Sequence, residues 1–390
     1  PLYSSAASDV YKRQIPCQRH LFDIPEDVAY LNTAYMSPLL TSVVSAIDSG
    51  SRLKANPWKL KISNFFDDIE EARDLFSTLM HTVASNVAII PSASYGVQTA
   101  ANNLHIPEGS KILVLSDQFP SNVYPWRRIA MENGAEIKTV NVPDGEAATQ
   151  HIIDALDERV SVCATANVLW TNGSLIDLEK VKAKCLDCNS ELVVDLTQSA
   201  GAFDVDLSKI DPAFAIVANY KWMLGPYSTG FLYVSPKYHS GQPLEEGWIT
   251  RKNSKDFANL VDYQDYYEPG AIRYDMGQRS NFSLIPGVLE ALRQIQKWGI
   301  PNIQSTLNNS NLNLCKKLSD LGLQIPRPEN RGPHFIGAKL PSEAPNKVLE
   351  TLVEQKIFIS ERGGHLRITP HLWNNTTDFE RFTETLRKIL

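Results

Sequence analysis

Residues 193–235 read VVDLTQSAGAFDVDLSKIDPAFAIVANYKWMLGPYSTGFLYVS, and the apolar runs inside this stretch decide the fold. The first run ends at Asp195, the second (Phe214–Asn219) opens onto Tyr220 and Lys221, and the third covers Thr229–Val234. Only YKWMLGPYS joins the last two, too short for a helical crossover, so they predict an antiparallel hairpin at one side of a sheet. An aspartate that closes an apolar strand is poorly solvated unless something pairs with it. A protonated ring nitrogen is such a partner, held by a charge-assisted hydrogen bond. Gln198, three residues on, is placed to reach the same ring. Lys221 stands in an apolar run, 26 positions after Asp195. Such a lysine either snorkels to solvent or is kept for its amine, because desolvation lowers its pKa and makes it a nucleophile toward carbonyls.

Upstream, short β-branched runs alternate with stretches of helix length. The spacing predicts strands at Val87–Ile90, Lys111–Leu115, Ala135–Val142, Val162–Leu169 and Glu191–Asp195. Helical patterns lie between most of them, at Tyr95–Leu104, Asn122–Asn133, Ala147–Glu158 and Leu178–Cys188. Repeated strand and helix argue an α/β fold, a mainly parallel seven-stranded sheet flanked by helices. Downstream, Tyr238–Arg279 lacks a clear period and reads as loops. Helical patterns follow at Leu284–Trp298 and Ile303–Leu321, strand-like segments at His334–Leu340, Ile357–Ser360 and His365–Thr369, and a terminal helix at Asp378–Ile389. We expect a large domain over residues 50–260 and a smaller α+β domain over 261–390, to which segment 15–49 contributes. Residues 1–14, PLYSSAASDVYKRQ, are polar and unpatterned and read as a non-native or disordered extension.

The bulk numbers fit a soluble protein of about two domains. The 390 residues are 43% hydrophobic and 21% charged, with net charge −6, and no basic run suggests a nucleic-acid partner. No apolar stretch approaches the roughly 18 residues needed to span a bilayer. Five cysteines do not make a disulfide framework, and a cytoplasmic setting is expected. Cys185 and Cys188 form a C-x-x-C without a second ligand pair, which favours core packing over a metal site. No G-x-G-x-x-G follows a strand and no G-x-S-x-G is present, against a nicotinamide dehydrogenase or a serine hydrolase.

In an open parallel sheet, ligands sit beyond the carboxyl ends of the strands. After the first strand comes PSASYGVQTA, where Ser94 and Tyr95 open a helix whose free amides attract a phosphate; a plain N-cap is the alternative. After the second comes SDQFPSNVYPW, where Phe119 either lies flat on a heterocycle or fills the core. Asn167, near the end of Val162–Leu169, donates to a ring oxygen or shapes a turn.

Residues 193–235 resemble the class V aminotransferase superfamily of fold-type-I pyridoxal-phosphate enzymes, which includes cysteine desulfurases, kynureninase and isopenicillin N epimerase-like proteins. YLNTAYMSPL, FPSNVYPW, NVLWTNG, RYDMGQRSNF and GGHLRITPHLWNNTTDFERF match its pattern in order, over roughly residues 20–390. The resemblance implies pyridoxal 5′-phosphate as cofactor, held as a Schiff base on Lys221, which then moves a proton at the substrate's Cα. It implies that Asp195 holds the ring nitrogen, that Gln198 and Asn167 contact the phenolic oxygen, and that Phe119 stacks on the ring. Ser94, Tyr95 and Tyr220 would bind the phosphate, with Ser280 and Asn281 reaching a partner subunit's phosphate site; Trp248 is a further candidate. Asn32 and Arg367 would bind the α-carboxylate of a small amino-acid substrate. A homodimer and a transamination are expected, with a lyase, an epimerase or a non-catalytic relative as alternatives. Desulfurases carry a cysteine shortly before that arginine; here none follows Cys315.

Overall fold

The computed structural model describes residues 13–390. Of the extension set aside above, only Arg13 and Gln14 fall within that range, and the rest lies outside the described residues. The Arg13 amide donates to Asn302 Oδ1 at 3.0 Å, and Gln14 Nε2 donates to Ser305 Oγ at 2.9 Å.

A two-residue strand, Ala29–Tyr30 (β1), precedes two helices that the sequence pattern did not reveal, Thr41–Lys54 (α1) and Asp67–Leu79 (α2). The seven predicted strand regions then form one sheet: Val87–Ile90 (β2), Lys111–Leu115 (β3), Glu136–Val140 (β4), Val160–Ala166 (β5), Glu191–Asp195 (β6), Phe214–Ala218 (β7) and Gly230–Val234 (β8). Their spatial order is β2-β8-β7-β6-β5-β3-β4. The β7–β8 pair is antiparallel as expected, but β8 is not an edge, because β2 pairs antiparallel along its other side. Between them run Ala93–Asn103 (α3), Tyr124–Asn133 (α4), Ala148–Ala155 (α5), Leu178–Asp187 (α6) and the short Leu207–Ile210 (α7). Strands β2, β7 and β8 are buried at every position. Both faces are covered, which explains their unbroken apolar sequences.

β5 stops at Ala166, three residues before the predicted end. Asn167 closes a loop there: its carbonyl accepts from the Ile176 amide at 2.8 Å, and its Nδ2 donates to Ile176 O at 3.0 Å. Gly173 completes the turn with φ of 76°, in the left-handed region that favours glycine.

Two helices, Ile285–Trp298 (α8) and Ile300–Asp320 (α9), follow the loop region, separated by Gly299. Ile285, Val288, Leu292 and Ile295 of α8 share one core with Val43 of α1, Phe76 of α2 and the sheet. The remaining elements are Ile336–Ala338 (β9), Val348–Glu354 (α10), Ile357–Phe358 (β10), Ser360–Arg362 (β11), His365–Ile368 (β12) and Thr376–Ile389 (α11). The single strand expected at Ile357–Ser360 is thus two: β10 pairs parallel with β1, whereas β11 pairs with β12, which also pairs with β9. Segment 15–49 divides between cores, Ala29 and Leu31 joining Leu314, Ile336 and Phe382, and Leu40 and Val43 joining the main one. Among the described residues no helix is long and apolar enough to cross a membrane.

Strand β4 lies on one side of β3 and β5 on the other. The crevice beyond their carboxyl ends is a topological switch point, where open α/β sheets bind ligands.

Candidate active site

A cavity of about 210 Å³ opens along that edge of the sheet, lined by residues that follow β2, β3, β5, β6 and β7 and by those that lead into β8. Its walls suit a small ring with its substituents.

Lys221 is brought there by the turn after β7, which Asn219 fixes by donating from Nδ2 to Thr229 Oγ1 at 3.1 Å and accepting the Gly225 amide at 2.9 Å. The lysine is only 5% exposed. Its ammonium lies 5.5 Å from the Phe119 ring centre and 5.3 Å from that of Tyr220. Burial brings its pKa down to about 8; Asp195 opposes the fall, and Arg367 and Arg362 add to it. An amine so poised is a nucleophile near neutral pH.

Asp195 ends β6 at the same edge. Its Oδ1 accepts the Thr197 amide at 2.9 Å, and among the described residues nothing donates to Oδ2. Thr197 ties the strand ends together, its Oγ1 accepting the Ala218 amide at 3.1 Å. Gln198 lines the cavity, yet much of its side chain is engaged: Nε2 donates to Ala34 O at 3.1 Å, and Oε1 accepts from Trp222 Nε1 at 3.0 Å. One amide hydrogen remains for a ring oxygen. His334, kept neutral by burial that pulls its pKa down to about 4, donates from Nε2 to the Gln198 carbonyl at 2.6 Å. Phe119 forms one wall and meets Trp170 edge-on at 5.3 Å. Burial pushes Tyr220 up to about 12, so it enters as a neutral phenol.

At the opposite end the N-cap of α3 is Ser92, whose Oγ accepts the Tyr95 amide at 3.2 Å and lies 2.9 Å from Ser94 Oγ. Both serines line the cavity. Tyr95 does not: its amide is taken by Ser92, and its ring packs among the apolar residues beneath α3.

Other expected residues are placed differently. Asn167 lies between wall residues Ala166 and Val168; its Nδ2 donates to Ile176 O, which leaves one amide hydrogen, and among the described residues its buried Oδ1 has no partner. Ser280 donates to Phe65 O, and Asn281 Oδ1 accepts the Ser283 and Leu284 amides at 3.1 and 3.0 Å before α8. Within one chain neither lines the cavity; they border a separate hollow beside Gly50 and Asp68. Trp248 packs edge-on against Phe65 and Phe257, also away from it.

Arg367 and Asn32 are brought together through Ser360. Its hydroxyl donates to Asn32 Oδ1 at 2.8 Å and accepts from Arg367 Nε at 3.0 Å. Arg367 Nη1 also donates to Trp170 O at 3.0 Å. The arginine is 2% exposed, and burial, then Arg362, lowers its pKa to about 10. Among the described residues no carboxylate lies within 4.0 Å of it, a costly state for a buried cation unless a ligand supplies the anion.

Sequence reasoning missed Ser92, Thr197, Ser360, Trp222 and His334. The cap rule could have raised Ser92, which precedes the helix. The others act across 7 to 328 positions of chain and leave no local signal. Gln118 was also missed; it is 6% exposed in the wall, with both amide atoms unpartnered.

These walls suit a small aromatic ring that carries a basic nitrogen toward Asp195 and an anionic group toward the serines at the start of α3. The fold around them is that of the fold-type-I pyridoxal-phosphate enzymes. The chain belongs to the aminotransferase class-V family, whose sequence model matches residues 29–382, and its cofactor is pyridoxal 5′-phosphate. It is similar to a probable cysteine desulfurase of Methanothermobacter thermautotrophicus, 24% identical over 94% of this chain and 96% of that one. It is also similar to a kynureninase of Shouchella clausii, 25% identical over 96% and 92%. The solved cysteine desulfurase of Thermococcus onnurineus shares its fold with TM-score 0.81 at 18% identity, covering 96% of this chain and 98% of that one.

Proposed function

We propose that this enzyme transaminates an amino acid, with Lys221 as the cofactor's anchor and as the group that moves a proton at the substrate's Cα. The observation that carries the reading is a buried amine with its pKa down to about 8, in a cavity shared with Asp195, whose wall residue Trp170 holds Arg367 through its carbonyl at 3.0 Å. The cofactor, when bound, supplies a sink for the electrons left at Cα. Asp195 would hold the ring nitrogen protonated through its free Oδ2. Ser92 and Ser94, with the first amides of α3, would bind the phosphate. Phe119 would pack on the ring, and Gln198 would donate to the phenolic oxygen. Arg367, fixed by Ser360 and Trp170 O, would grip the α-carboxylate as a two-pronged donor, with Asn32 beside it. Lys221, uncharged for a useful fraction of the time near neutral pH, is matched to its work as general base.

Lyase chemistry is the second reading, favoured by the kynureninase and desulfurase relatives. A thiol-using desulfurase is disfavoured because none of the five cysteines lines the cavity. A homodimer in the cytoplasm belongs to the same proposal. Borohydride reduction of the holoenzyme should fix a phosphopyridoxyl group on Lys221; labelling elsewhere, or none, sinks the assignment. Stoichiometric mixing with amino acids then separates the outcomes. A keto acid with the amino form of the cofactor supports transamination, whereas a keto acid with free ammonia, or alanine released after loss of the side-chain group, supports a lyase.

A further inference from the structure

The hairpin that carries Arg367 carries a second arginine. In its register Ser360 faces Arg367, and Arg362 faces His365. Cross-strand partners, and residues two apart on a strand, share one face of a sheet. Ser360, Arg362, His365 and Arg367 therefore project from the same side, the side from which Arg367 reaches Trp170 O at 3.0 Å. The turn between the strands is Gly363-Gly364, with φ of 56° and 75°. A Cβ on Gly363 would come 3.7 Å from the Thr171 side chain, so the hairpin tip rests beside the Trp170–Thr171 rim of the cavity.

The charges on that face do not balance. His365 is paired with Asp144 at 3.0 Å, and Asp144 also binds Lys339. Among the described residues, Arg362 donates only to the carbonyl of its neighbour Glu361, at 2.6 Å. The Glu361 carboxylate belongs to the opposite face by the same alternation. Among the described residues, no carboxylate lies within 4.0 Å of Arg362 or Arg367, and Asp195 is the single acid that lines the cavity. Arg362 is near enough to lower the pKa of both Lys221 and Arg367. Asp195 is assigned to the ring nitrogen and Arg367 to the α-carboxylate, which leaves one guanidinium on the substrate side without an anion.

We propose that Arg362 binds a second acidic group on the substrate, so that the enzyme selects dicarboxylic amino acids of the aspartate and glutamate type over neutral ones. The inference rests on the cofactor and Arg367 assignments made above. An arginine at the rim sets side-chain specificity through its planar pair of donors, which match a carboxylate better than an amide.

The test titrates the holoenzyme with L-aspartate and L-glutamate, and with L-asparagine, L-glutamine and L-alanine, following the absorbance of the bound cofactor. At least one dicarboxylic amino acid should bind about 10- to 100-fold tighter than its amide, the range for a hydrogen-bonded charged group. Arg362→Gln should collapse that ratio, and Arg362→Lys should restore part of it, whereas Arg367→Gln should weaken all five ligands together. As a readout independent of turnover, succinate or glutarate should raise the holoenzyme's Tm more than butyrate does, and Arg362→Gln should remove the difference. Equal affinities for acids and amides, or a preference that survives Arg362→Gln, overturns the proposal. Failure of borohydride to label Lys221, scored before any amino acid is added, identifies a failure of the cofactor assignment instead.

Discussion

In protein stripped of cofactor, Lys221→Met should stabilise the fold at pH 7, and the gain should fade as pH rises. The wild-type ammonium is 5% exposed, and burial takes its pKa from 10.5 to about 8 even though Asp195 pulls the other way. At about 1.4 kcal/mol per pH unit, that difference makes the charged lysine cost the folded state roughly 3 kcal/mol. Below pH 8 the lysine is charged in both states, so the whole cost is present. Between about pH 8 and 10.5 the folded protein loses the proton while the unfolded chain keeps it, and wild-type stability rises through that window. Methionine is unbranched, flexible and uncharged, and avoids the cost throughout. The attraction of Asp195 is already contained in that net shift, so the gain at pH 7 stays at roughly 3 kcal/mol. Urea unfolding of both proteins at intervals from pH 7 to about pH 10 measures the difference, and other titrating groups cancel in the comparison. A variant no more stable than wild type at pH 7 would refute the reasoning. So would a gap that stays constant with pH.

Asp195→Asn should leave the cofactor on Lys221 but slow turnover by about 10- to 150-fold, as roughly 1.5–3 kcal/mol of charge-assisted hydrogen bonding is lost; unchanged turnover in rapid-mixing assays would contradict its role. Gly337→Ala would set a Cβ 2.0 Å from Asn172 O, so β9 must move off the loop that carries Trp170. Calorimetry should show a loss of about 1–3 kcal/mol, and an unchanged Tm would show that this contact does not hold the two together.

The apolar runs are enough to specify the central sheet and the line of chemical groups along its edge. Strands β6 and β7 are buried on both faces, β6 at all but its first residue, so their composition has to be apolar, and any ionisable residue at their ends stands out. Asp195 and Lys221 were legible for that reason, and Phe119 and Gln198 by their place just past a strand. Helix α1 was not, because only Val43 and Gly50 of it are buried, too few to mark a face, whereas α2 does carry a helical face in Ile69, Ala72, Phe76 and Leu79. Tertiary structure alone decided which polar groups remain free for a ligand. The Tyr95 amide is held by Ser92 and its ring packs in the core, while Asn167 shares its side-chain amide with Ile176 O. Conversely, Arg367 could be an exposed strand charge until Ser360 and Trp170 O are seen to hold it in a buried position with no carboxylate near. A hydrogen-bonding group can be spent only once per hydrogen or lone pair, and partners distant in sequence decide where it is spent.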